Sequence, residues 1–214
     1  MPLRPGRRAL PLVLLALTAP AFAQGEEHYP EEPLGAAAGP TEDPRHAFEF
    51  ALSDDGLAFG YRNGLHRGKG FWSLGVFAGE DEDYAASARL MRFGEPRGES
   101  PFGFGVGLGL FGALIEDTED ELAAITLTGA ADFAFDEWFV LDYPLRLGVE
   151  VSFAPDEATF ADGQRVVDAL GRLELDLSPW ATVFGGYRYL ELDFEDEEDL
   201  ELDRSFQVGL RLGL

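Results

Sequence analysis

The 214-residue chain has no cysteine, and that absence excludes a small domain stapled by disulfides and a cysteine-based zinc site. It has little positive charge: 16 Lys and Arg against 40 Asp and Glu, a formal net charge of −24. A surface so acidic does not suit phosphate backbones, so nucleic acid is excluded as a partner. A spanning helix needs about 20 apolar residues, and the apolar run Leu10–Leu17 is too short for one. With three histidines and neither G-x-S-x-G nor H-E-x-x-H, the chain shows no familiar hydrolase or metalloprotease signature, and no cofactor is expected.

What is present begins with an export signature. Arg4, Arg7 and Arg8 precede the apolar run, and Ala21-Phe22-Ala23 supplies an A-x-A cleavage pattern before Gln24. Residues 1–23 therefore read as a signal peptide. Its removal takes away three arginines and no acid, which moves the charge to −27. Residues 24–45, rich in Pro, Glu, Gly and Ala without apolar periodicity, read as a disordered periplasmic leader.

From residue 46 to 214 the pattern changes to period two. FGFGVGLGLF (102–111) places Phe102, Phe104, Val106, Leu108 and Leu110 on one face and glycine on the other. The same alternation runs through 122–135, 143–153, 166–177 and 205–214. Further strands fit at 70–79, 84–93 and 180–194, and FEFALSDDGLAFGY folds as a hairpin. In 180–194, Leu190, Leu192 and Phe194 share the parity of Arg188; a bulge near Tyr189 would return them to the apolar face.

Soluble strands average five or six residues, whereas membrane-crossing strands need about 9–11. The expected fold is therefore all-β: an antiparallel up-and-down transmembrane β-barrel over 46–214, with ten strands and eight as the alternative. Apolar residues face lipid, and glycine, small polar and charged residues face the lumen. The inward face then carries Arg146, Glu150, Asp168, Arg172, Glu174, Asp176, Arg188 and Arg211. Such a mixed-sign set fills a narrow barrel as an ion-pair network, or lines a minor path for cations or solutes.

Numbering strands back from a periplasmic C-terminus puts every acidic run (Asp54-Asp55, 80–83, 115–121, 154–164 and 195–203) on the outside. His66, Arg67, Lys69 and Arg97 fall inside, with Trp138, Tyr143 and Trp180 as an interfacial belt. Within 195–203, Asp196, Glu198 and Asp199 are weak candidates for a divalent cation; they lack the alternating ligands and central glycine of an EF-hand.

The closing hairpin TVFGGYRYLELDFEDEEDLELDRSFQVGLRLGL (182–214) resembles that of the YfaZ-type outer-membrane proteins. The shared residues are Val183, Gly186, Tyr187 and Arg188, then Asp193, Phe194 and Asp196, then Val208 to Leu212. FALSDDGLAFGY and SFAPDEATFADGQR resemble the family's opening and its long loop. The resemblance implies a small outer-membrane barrel and supplies no activity. Barrel proteins commonly end in Phe or Trp; this chain ends in Leu214, while Gly209 and Leu212 fit the rest of the assembly signal.

The expected role is structural or interactive within the envelope. The expected partners are outer-membrane lipid, lipopolysaccharide, the barrel-assembly machinery and divalent cations at the outer loops, with the chain a monomer. Two other readings stay open: a soluble periplasmic lipocalin-like barrel holding a small apolar ligand, and a barrel-embedded lipid-modifying enzyme.

Overall fold

A computed structural model describes residues 46–65, 70–79, 82–94, 101–116, 120–140, 143–194 and 200–214, without the side chains of 136–140. The predicted signal peptide and leader lie outside the described residues, as do His66, Arg67, Lys69, Arg97, Asp196, Glu198, Asp199 and the side chain of Trp138.

Alternating hydropathy, interrupted by Gly, Pro and acidic turns, gives long strands. They are β1 (His46–Ser53), β2 (Gly56–Gly64), β3 (Gly70–Gly79), β4 (Tyr84–Phe93), β5 (Phe102–Leu114), β6 (Glu121–Val140), β7 (Tyr143–Ala154), β9 (Gly163–Ser178), β10 (Ala181–Phe194) and β11 (Leu200–Gly213), with a three-residue β8 (Thr159–Ala161). Neighbours in sequence pair antiparallel, except that β7 pairs with β9. β1 pairs with β11, from Ala47↔Gly213 to Ser53↔Gln207, and β5 pairs with β6. The ten long strands thus form a closed barrel, each pairing with a long strand on either side. The strand count is ten, not the alternative eight.

Strand alternation puts the acidic turns at one end of this barrel. Contacts among them agree: the Glu116 N–H donates to Asp83 at 3.0 Å, the Glu121 N–H to Asp162 at 3.2 Å, and the Arg204 N–H to Asp55 at 2.9 Å. The segment between β7 and β9 is folded. A 3-10 turn at Asp156–Ala158 leads into β8, which pairs with Leu122–Ala124 of β6 above the end of β7.

Apolar side chains cover the outer face. Phe104, Val106, Phe206 and Val208 are 65, 68, 76 and 65 % exposed. At the end opposite the acidic turns stand Tyr143 and Trp180 of the expected belt, and with them Phe48, Tyr61 and Trp72, which were not part of that expectation. There His46 Nδ1 lies 2.8 Å from the Tyr61 hydroxyl and 2.9 Å from Asn63 Nδ2.

The inward glycines of β5 answer to their neighbours on β4. Phe93, Met91 and Arg89 pair with Gly105, Gly107 and Gly109. A Cβ on Gly107 would collide with Met91 Sδ and lie 2.5 Å from the Leu90 carbonyl oxygen. The bare strand is therefore the floor over which the large inward side chains of β4 lie.

One expectation is corrected at the acidic end. β10 keeps a single parity throughout, with no bulge in it, so Leu190 and Leu192 are fully buried inside the barrel and Phe194 is buried beside them. The register shift lies opposite Leu190/Glu191 in β11, where the consecutive residues Leu202 and Asp203 are both buried. The physical reason is a second apolar environment. Phe77, Phe111, Ile115, Leu122, Val166 and Leu202 pack with these three residues into a hydrophobic cluster within the barrel. Glu191 and Asp193 then face outward, where Arg165 reaches both, at 2.8 and 2.7 Å.

Candidate functional site: the barrel interior

Below the apolar cluster the interior turns polar. Thr128 and Ser152 share a hydrogen bond of 2.8 Å across β6 and β7, and both are buried. Thr128→Val leaves the Ser152 hydroxyl without this partner. We expect a loss of about 1–2 kcal/mol, read from urea unfolding of the folded barrel.

Charged side chains come next, and the alternation of β1, β4, β7, β9, β10 and β11 delivers them all to one space. Arg188 makes a two-pronged contact with Asp168, Nε to Oδ1 at 3.0 Å and Nη2 to Oδ2 at 3.1 Å. Its other face is 3.8 Å from Asp203, which accepts a 2.6 Å bond from the Ser205 hydroxyl. Arg89 pairs with Glu150.

Nearer the opposite end, Glu49, Arg172, Glu174 and Arg211 form a closed ring of alternating charge. Arg172 bonds Glu49 at 3.1 Å and Glu174 at 2.7 Å. Arg211 bonds Glu49 at 3.0 Å and Glu174 at 2.8 Å. Arg146 extends the ring, lying 3.6 Å from Glu174 and 3.1 Å from Asp176, which also accepts from the Thr182 hydroxyl at 2.6 Å. Each cation here meets two carboxylates, an arrangement that offsets the cost of holding charge away from bulk water.

All eight inward charges singled out in the sequence lie in this interior, and contacts join them into two groups and one separate pair. Four further members were not singled out. Glu49 has the parity of Ala47 and Ala51, opposite to Phe48, Phe50 and Leu52, and Arg89 has that of Ser87 and Met91. That parity was the available signal for both. Asp203 has the parity of Ser205, Gln207 and Arg211, so the same signal was available for it; the residue that the β11 irregularity brings inside is Leu202. Arg62 is the fourth. Among the described residues it makes no ion pair, and its guanidinium lies 4.1 Å from the centre of the Phe71 ring.

A cavity of about 120 Å³ remains among these charges, bordered also by small residues of β1–β4. No cluster of His, Asp and Glu suited to a metal ion occurs among the described residues.

The architecture is that of an outer-membrane-type barrel: closed, antiparallel, apolar outside and charged within. No family model matches the chain, and no curated protein matches it. Among solved structures the chain is similar to a KdgM porin, at 11% identity over 79% of this chain and 98% of that one, with a TM-score of 0.42. A likeness at that level assigns no role to this chain.

Proposed function

We propose that this chain is a small outer-membrane β-barrel whose filled interior suits it to a structural or interaction role in the envelope rather than to constitutive transport. The carrying observation is that, among the described residues, a hydrophobic cluster closes the interior at the acidic end and paired charges cross it below, beside a cavity. An apolar constriction also opposes ion passage by excluding water. Minor passage of cations or solutes requires this cluster to part.

In this reading the acidic end faces outward, toward lipopolysaccharide, with outer-membrane lipid around the apolar belt. The barrel-assembly machinery handles the chain during biogenesis, and the folded barrel is monomeric. The export signature and the YfaZ-type residues Val183, Gly186, Tyr187, Arg188 and Val208–Leu212 support the compartment and the family. Divalent cations at Asp196, Glu198 and Asp199 are part of the same proposal. The exterior speaks against the lipocalin-like alternative, which needs a polar outer face and an apolar ligand chamber; here both are reversed around the middle of the barrel.

Planar-bilayer recording tests the proposal. The native barrel is expected to give no discrete conductance steps. A Phe77→Ala, Leu190→Gly, Leu192→Gly triple variant, folded as judged by heat-modifiable gel migration, is expected to give them. Regular channel steps from the native protein would sink the filled-barrel reading.

A further inference from the structure

Five guanidinium groups border the interior cavity: Arg62, Arg89, Arg172, Arg188 and Arg211. Four are held by carboxylates of the barrel wall. Arg62 is the exception. Its contact with the Phe71 ring engages the face of the guanidinium and leaves its five N–H groups without a protein acceptor among the described residues. A half-buried cation in that state needs an acceptor from outside the chain.

The space beside it is of a size to hold one. At about 120 Å³ the cavity takes several water molecules or one small polyatomic ion. Short side chains stand beside Arg62 on the same wall. Ser73, paired with Arg62 across β2 and β3, brings a hydroxyl, and Gly60 and Gly75 leave room beside it. Guanidinium forks recognise planar or tetrahedral oxyanions by paired N–H···O contacts. The carboxylates bordering the cavity, Glu49, Glu150 and Asp168, are already engaged by Arg172 and Arg211, by Arg89 and by Arg188, respectively. Their charge is largely answered before a ligand arrives.

From this we infer that the barrel interior contains a binding site for one small oxyanion, with Arg62 as its principal donor and Ser73 beside it. The site is a property of the folded interior and stands whether or not the barrel conducts. Water alone is the competing occupant, and it would give no saturable anion binding.

The test uses the full chain folded in detergent micelles and inorganic phosphate as the probe, titrated calorimetrically at constant ionic strength against chloride. We expect saturable binding of one phosphate per barrel. Arg62→Gln is expected to weaken it about tenfold or more, the loss of a charge-assisted contact. Ser73→Leu, which fills the cavity while keeping the arginine, is expected to weaken it similarly. Arg204→Gln, on the outer face at the acidic end, is expected to leave it unchanged. Absence of saturable phosphate heat in the native barrel overturns the inference. So does equal affinity in the native barrel and in folded Arg62→Gln. Should that variant not fold, Ser73→Leu decides by the same comparison.

Discussion

Replacing Gly107 by valine is expected to stop the barrel from closing. The new Cβ meets Met91 Sδ, which is flexible and could move, but it also lies 2.5 Å from the Leu90 carbonyl oxygen, which is backbone and cannot move without breaking the β4–β5 ladder. Overpacking against a side chain typically costs about 1–3 kcal/mol. Against backbone in a sheet closed on itself, the strain passes to every neighbouring pair. Gly129→Val is the control. Gly129 faces outward on β6, and nothing lies within 4 Å of an added Cβ there. Refolding into detergent, followed by gel migration of unboiled samples, should show a folded band for Gly129→Val and little or none for Gly107→Val. Equal folding of the two would mean that the β5 glycines do not make room for β4.

Arg211→Met should be the most damaging change to a single charge. Arg211 touches both acids of the ring, and its side chain and that of Glu174 are 7 and 8 % exposed. Methionine keeps much of the volume but leaves Glu49 and Glu174 to share Arg172. Breaking a buried ion pair from one side costs about 3–5 kcal/mol, and the surviving Arg172 contacts put the expected loss near about 3 kcal/mol. Arg204→Gln removes a pair of the same chemistry, but with side chains 58 and 44 % exposed, and should cost about 1 kcal/mol or less. Urea midpoints of the two variants in the same micelles make the comparison. Similar midpoints would mean that water reaches the ring freely and that it contributes little to stability.

Both predictions depend on faces that were legible in the residues. Alternation assigned Phe102, Phe104 and Val106 to one side and glycine to the other, because a strand has no choice about where successive side chains point. The same rule placed Arg146, Glu150, Asp168, Arg172, Glu174, Asp176, Arg188 and Arg211 on a common face, where the structure has them. Acidic turns separating strands of membrane-crossing length carried the strand count, and with ten strands those turns gather at one end.

Partners were not legible. Glu49 meets Arg211, 162 residues away, because β1 and β11 close the barrel. Nothing near Glu49 in the chain specifies that neighbour. Which interior space a charge borders is likewise set by closure, so Arg62 and its cavity could not be read from β2 alone.

The clearest division falls at Leu190, Leu192 and Phe194. Their alternation with Glu191 and Asp193 showed that these three side chains share one face, and that was all the local pattern could determine. Hydrophobicity records that a side chain leaves water. It does not record whether lipid outside the barrel or other side chains within it take water's place. For Phe206 and Val208 the answer is the outer surface. For Leu190, Leu192 and Phe194 it is the interior cluster with Phe77, Phe111 and Leu202, and only the closed tertiary structure, which brings residues of β3–β7 and β9–β11 around one space, could decide it.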